Sequence, residues 1–242
     1  MILANYLIFI FTIINYVINI NLIALIGDFL MMIIGSLKIV MNSTLLKIPL
    51  FPINVSILPD ELMPLHIFED RYKQMVSKSL ENNNEFGIIY KEDQNMKNIG
   101  CSVSIKKVYQ KYDDGKYDIL IQGEKRFEIK SLFKENELLI GEVEFLNEFY
   151  EKSDKNKFNK VLDKYLKLLL TFKIDHDIQS EMNKKNSFDF TKNILIPDNI
   201  KQDFLELENE SDRVLFIDNF LDSITESAKK EKNKIFKGNI LN

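Results

Sequence analysis

Four of the chain's five prolines, Pro49, Pro52, Pro59 and Pro64, fall within sixteen consecutive residues, and this cluster constrains the fold more than any other feature. Each proline fixes its own φ, removes a main-chain donor and biases the residue before it towards extended geometry. No regular helix crosses such a segment. Between the prolines stand Leu50, Phe51, Ile53, Val55, Ile57, Leu58, Leu62, Leu65 and Ile67, so the stretch reads as extended, kinked and largely buried. It gives way abruptly to a helix, in which Phe68, Tyr72, Met75, Val76 and Leu80 recur at helical spacing. Glu69 and Asp70 lie in its first turn, where negative charge complements the helix dipole.

Asn82-Asn83-Asn84 breaks that helix, and the apolar period then becomes two. Phe86, Ile88 and Tyr90 alternate, as do Cys101, Val103 and Ile105, then Tyr117, Ile119 and Ile121, then Phe127 and Ile129, and finally Leu139, Val143 and Phe145. Lys91 to Asn98 reads as a loop, Asp113-Asp114-Gly115 as a hairpin turn, and Gly123 as a turn or bulge. From about Tyr150 the period is 3.6, with Phe158, Val161, Leu162, Tyr165, Leu168, Leu169 and Phe172 as one stripe. Thr171 to Lys192 is polar and irregular, with room for one short helix. Pro197 opens another helix with Ile200, Phe204 and Leu205 inward. Ser211 is the expected N-cap of the last, whose inward residues are Val214, Ile217, Leu221 and Ile224. Residues 229–242 form a basic tail expected to fray. Strands precede helices, which predicts an α+β architecture with a β-rich part at 45–148 and a helical part at 150–228.

With 45% hydrophobic residues the chain can bury a substantial core, and its net charge of −4 points away from nucleic acid as a partner. The single cysteine, Cys101, excludes an intrachain disulfide framework and fits a reducing compartment, hence the cytoplasm. Residues 1–40 are a separate problem. They carry only two charges, Asp28 and Lys38, and are long enough to cross a bilayer. A signal peptide is disfavoured, because there is no basic n-region and no small-x-small cleavage site. Asn5, Asn15, Asn19 and Asn21 weigh against a membrane anchor. Met41, placed just before the proline-rich segment, favours a misplaced start. A membrane is a partner only if residues 1–40 are translated; Lys38 and Lys47 would then keep the following residues cytoplasmic.

Several motifs at fixed spacing carry a family resemblance. They are Pro49-Leu50-Phe51-Pro52, Leu58-Pro59, Leu62, Pro64-Leu65-His66-Ile67-Phe68-Glu69 and Arg71-Tyr72. Downstream come Ile99-Gly100, Ile121-Gln122-Gly123-Glu124-Lys125-Arg126-Phe127 and, more loosely, Lys201-Gln202, Leu205-Glu206 and Arg213. Together they resemble the N-terminal, substrate-binding domain of Lon protease over about 45–228. The resemblance implies a small twisted sheet or pseudo-barrel with one helix, followed by a helical bundle. It also implies a recognition role without catalysis, as an adaptor or sensor in protein quality control. The partners it implies are unfolded or degron-bearing protein segments, with a Lon-type protease as a further candidate.

The sequence holds no G-x-x-x-x-G-K-[ST] phosphate loop and no G-x-S-x-G elbow, so the expectation is a recognition domain alone, with no catalytic residue and no cofactor. Ser131-Leu132-Phe133-Lys134 matches S-x-x-K, but its companion motifs are missing. His66 and His176 lie outside any ligand-spacing motif, and Cys101 has no partner cysteine, so no metal site is expected. The candidate peptide-binding residues are Leu58, Leu62, Leu65 and His66, because proline-rich strands pair incompletely and leave apolar side chains near the surface. Pro52, Pro59, Pro64, Phe68, Glu69, Arg71, Tyr72, Gly123, Arg126 and Phe127 are read as structural, Arg126 as an ion-pair partner and His66 as hydrogen-bonded to backbone. Two other functions remain open: a small-molecule-binding domain of Lon-like fold, and a membrane-tethered structural factor.

Overall fold

The computed structural model describes residues 45–146, 155–172, 177–192 and 194–238. The readings of residues 1–40 and of His176 lie outside them. Seven strands come first: β1 (Leu46–Ile53), β2 (Leu62–Ile67), β3 (Phe86–Glu92), β4 (Asn95–Met96), β5 (Ile99–Lys111), β6 (Tyr117–Glu135) and β7 (Leu138–Phe145), with α1 (Asp70–Asn82) between β2 and β3. Helices follow: α2 (Lys155–Thr171), α3 (Ile178–Glu181), α4 (Phe188–Thr191), α5 (Asp198–Glu206) and α6 (Glu210–Gly238). The α+β order expected from the sequence is what the molecule has.

The sheet runs β1-β7-β6-β5-β3, and β3 returns to β1 through a parallel pairing from Leu50–Gly87 to Ile53–Tyr90. This closes a small barrel. Leu50, Ile89, Phe127 and Val143 share one core cluster, which also includes Ile48 and Ile129. So narrow an interior leaves no room for a Cβ at Gly87, where one would lie 2.6 Å from the Phe127 ring and 2.7 Å from Leu50. A second cluster joins α1 to the sheet: Tyr72, Met75 and Val76 pack with Phe51, Ile57, Ile67 and Ile88. Each of these helix side chains contributes roughly 1.5–3 kcal/mol by leaving water. The third core lies among the helices, where Val161, Tyr165, Leu169, Phe204, Val214, Ile217 and Leu221 meet.

The molecule departs from the sequence expectations in several places. Phe68 is 59% exposed and precedes α1, and Leu80 is exposed too, so the buried stripe of α1 is Tyr72, Met75, Val76 and Ser79. The expected loop 91–98 contains β4, which pairs back on β3. Of the two readings of Gly123, the bulge is the one found: it stands inside β6 beside an extra residue, because Val103 pairs with Gly123 but Cys101 pairs with Arg126. Two short helices, α3 and α4, occupy the stretch where one was expected. α6 is capped by Asn209, whose Oδ1 accepts the Asp212 N–H at 2.9 Å, so Ser211 lies within the first turn. The helix continues to Gly238, through residues expected to fray.

Candidate functional site

The connector between β1 and β2 delivers adjacent residues to different cores. Ile57 enters the α1–sheet cluster, and Leu58, 1% exposed, enters the helical one. Leu58 is therefore no surface residue, and its place among the peptide-binding candidates is corrected. The connector backbone lies directly on β6, where a Cβ on Gly123 would stand 2.1 Å from the Leu58 carbonyl oxygen. Polar contacts fix the rest. The Glu61 carboxylate accepts the Leu58 N–H at 2.9 Å and pairs with Lys201 at 2.6 Å, while Ser56 donates to Gln202 Oε1 at 2.5 Å. The helical part thus determines how the chain enters β2.

β2 is antiparallel to β6, from Leu62–Gln122 to Ile67–Tyr117, and pairs with no other described strand. The Gly123 N–H donates to the Glu61 carbonyl at 2.9 Å. Bonded pairs alternate along an antiparallel ladder, so Met63, Leu65 and Ile67 hold the bonded positions that follow. The main-chain groups of Leu62, Pro64 and His66 face the open edge. Pro64 therefore sits where no ladder donor is needed. Side chains alternate as well. Met63, Leu65 and Ile67 turn towards the core, and Leu65 is half-buried. Leu62 (56% exposed), Pro64, His66 and Phe68 turn outward. Across the sheet this face continues in rows: Leu62 beside Gln122 and Ser104, Pro64 beside Leu120 and Lys107, His66 beside Asp118 and Gln110.

His66 is held by a side chain, where a backbone partner was expected. Its Nδ1 lies 2.6 Å from Asp118 Oδ1, and the Tyr112 hydroxyl donates to Asp118 Oδ2 at 2.6 Å. An ionised carboxylate only accepts, so Nδ1 carries the proton in this pair. The two hydrogen bonds, Tyr112 first and His66 second, hold the Asp118 carboxyl below the usual carboxylate range. The same bond to Asp118 pushes the Tyr112 phenol up, with burial second. The His66 ring stacks near Phe68, centroids 6.0 Å apart, and meets Tyr112 edge-on at 6.2 Å. The outcome is an exposed aromatic corner at one end of an apolar strand whose outer edge is unpaired among the described residues. Tyr112, Asp118 and Phe68 were missed as neighbours of His66. Phe68 adjoins the apolar run from Leu62, whereas no local pattern reports Tyr112 or Asp118.

The other motif residues make contacts within the fold. Glu69 pairs with Arg71 at 2.6 Å, and the Arg71 guanidinium lies 4.6 Å from the Tyr72 ring. Pro52 lies in the parallel pairing with β3, and Phe127 fills the barrel. Arg126 is 2% exposed and donates to the carbonyls of Leu205 (2.6 Å) and Leu207 (2.7 Å). Burial pushes the Cys101 thiol up. Ser131 donates to Glu142 at 2.9 Å, and three residues along β6 put Lys134 on the opposite face, so the S-x-x-K pair does not converge. Among the described residues no helix is long and apolar enough to cross a membrane, and no cluster of acids, histidines or cysteines is arranged to hold a metal ion.

The family model of the substrate-binding domain of ATP-dependent protease La (Lon) matches residues 47–227. The chain belongs to this family. Solved structures similar to this Lon-type domain include a Lon N-terminal domain protein from Xanthomonas campestris, with 19% identity, a TM-score of 0.56, and 70% of this chain and 95% of that one covered. They also include the N-terminal domain of the Mycobacterium avium complex Lon protease, with 15% identity, a TM-score of 0.61, and 73% and 98% covered. At such identities these likenesses establish the fold. Among curated proteins no sequence matches this chain significantly.

Proposed function

We propose that this Lon-type domain recognises extended, apolar segments of other proteins by adding them as a strand beside β2. The observation that carries the reading is the edge of β2, unpaired among the described residues, together with its exposed row Leu62, Pro64, His66 and Phe68. Main-chain groups at such an edge supply affinity, and side chains on alternate faces supply selection. An added strand would meet the exposed row on its outer face and the half-buried Met63 and Leu65 on the other. Segments apolar on both faces, exposed when a protein unfolds, suit that edge. Of the residues named from sequence, Leu62, Leu65 and His66 remain candidates. Membership of a substrate-binding family supports the recognition role, and an adaptor or sensor in cytoplasmic protein quality control is the setting this implies.

The test is binding of the 242-residue chain to an array of unfolded peptides, with folded proteins as controls. Apolar and aromatic peptides should bind, and N-methylation at alternate main-chain positions should abolish binding. Equal binding of N-methylated peptides would sink strand addition.

A further inference from the structure

A second concave surface lies beside β1. Pairing of β1 with β3 starts only at Leu50 opposite Gly87, so among the described strands Leu46 to Pro49 pair with β7 alone. Between this half-paired stretch, α1 and the β6–β7 turn opens a cleft of about 660 Å³. Small-molecule sites typically enclose roughly 300–1,000 Å³. Leu46, Ile48, Met75, Ile140 and Phe145 supply apolar lining.

The charges around the cleft are of one predominant sign. Lys47, Arg71, Lys78 and Lys125 line it, against Glu85 and Glu135, on a chain whose formal net charge is −4. A concave surface carrying the opposite sign to its chain draws in anions. Arg71 is held by Glu69 at 2.6 Å, and the Lys47 ammonium lies 4.8 Å from the Phe133 ring centre. Lys78 and Lys125 are exposed and make no ion pair among the described residues. The helix end adds neutral polar groups. Asn83 closes α1 in the left-handed conformation, its N–H donating to the Ser79 carbonyl, and Asn82 and Asn84 beside it also line the cleft.

We infer that this cleft binds a small organic anion with an apolar body. Its carboxylate or sulfonate head is taken by Lys78 and Lys125, and its body lies against Leu46, Ile140 and Phe145. A cation of the same shape meets like charge at the rim. A bare anion gains nothing from the apolar lining. This site shares no residue with the outward row of β2 and does not depend on peptide recognition there.

The test is titration of the 242-residue chain with decanoate, followed by calorimetry and by amide NMR. Decyltrimethylammonium supplies the same body with the opposite head, and acetate the head without the body. Decanoate should bind and shift amides of residues 46–48 and 74–85. The double variant Lys78→Glu/Lys125→Glu should weaken decanoate about tenfold, the product of two exposed ion pairs of ordinary strength. Both side chains are exposed, so the fold survives, as circular dichroism would verify. Lys167→Glu on α2 and Leu62→Asp on β2 should leave decanoate binding unchanged. Equal binding of decyltrimethylammonium, undiminished binding by the double variant, shifts confined to other regions, or no binding of decanoate would each overturn the inference. Displacement of decanoate by an acidic peptide that binds more tightly would overturn the small-ligand assignment.

Discussion

Arg126 and Arg213 donate to the same main-chain oxygen, that of Leu207, at 2.7 and 2.9 Å. One arginine comes from β6 and the other from α6, so a single carbonyl joins the barrel to the helical part. The Phe188 ring lies 5.8 Å from one guanidinium and 5.1 Å from the other. Glu210 holds Arg213 at 3.1 Å and also accepts the N–H and hydroxyl of Ser187, at 2.7 and 2.8 Å. Both arginines are at most 2% exposed, so this junction is dry, and each buried hydrogen bond to a charged donor contributes more than an exposed one.

Arg126→Met keeps much of the volume and removes the donors to Leu205 and Leu207. It should cost about 2–4 kcal/mol, since buried carbonyls lose charged partners. Urea unfolding followed by circular dichroism reads the loss. Hydrogen exchange should show α5 and the start of α6 opening before the barrel. A cost under about 0.5 kcal/mol, the range of ordinary surface changes, would mean that the Arg126 hydrogen bonds add nothing net to this junction.

Leu58→Ala should destabilise the chain by about 2–5 kcal/mol through lost burial and a cavity in the helical core. Leu62→Ala, four residues on, should stay within about 0.5 kcal/mol because its side chain is already in water. Thermal melts of the two variants side by side check the contrast. Similar melting points would contradict the separation of the connector from the outward row.

The pH response of the aromatic corner has a definite sign. The folded state holds the Asp118 carboxyl below its ordinary value. The contribution is therefore present above the unfolded carboxylate pKa of about 3.9 and lost as pH falls through the lowered folded value. The Tyr112 phenol is raised. Its contribution is present below the unfolded phenol pKa of about 10 and lost as pH rises through the higher folded value. Between those limits the His66–Asp118–Tyr112 contacts should persist, and NMR titration of the Asp118 carboxyl and the Tyr112 ring would follow both edges. In Asp118→Asn the acid edge should vanish.

Much of this was legible in the sequence, for a local reason. Period-two and period-3.6 alternation is imposed by neighbours in sequence, so the main strands and the stripes of α2 and α6 could be read directly. Phe68 misled because its spacing to Tyr72 imitates a helical pair, although the helix begins only at Asp70. Leu58 misled because adjacent apolar residues gave no sign that they serve two cores. The closing pair β1–β3 and the His66–Asp118 contact join residues far apart in sequence, and no local pattern reports them. The motif from Pro49 to Tyr72 marked β2 without showing which of its faces is exposed.

Gly123→Ala should be costly for a reason that no side-chain repacking relieves. The added methyl meets the Leu58 carbonyl oxygen and carbon, which are main chain, so the connector must move away from β6. Overpacking of this kind costs roughly 1–3 kcal/mol. The moved connector also shifts the start of β2, and peptide binding should fall with stability. Wild-type melting temperature in Gly123→Ala would contradict the contact.

Proline substitutions along β2 separate edge from ladder. Leu62 faces the open side, so Leu62→Pro removes an edge donor and no bond to β6. Leu65 stands in a bonded pair with Ile119, so Leu65→Pro removes a ladder bond in the middle of the strand. The first variant should keep nearly wild-type stability and lose binding of extended peptides. The second should lose stability by about 3 kcal/mol or more, as proline does where a main-chain bond is needed. Unfolding curves and peptide titrations on both variants give four values. If Leu62→Pro stays folded and still binds peptide as wild type does, the edge of β2 is not where segments are held, and recognition must lie on another face of the domain.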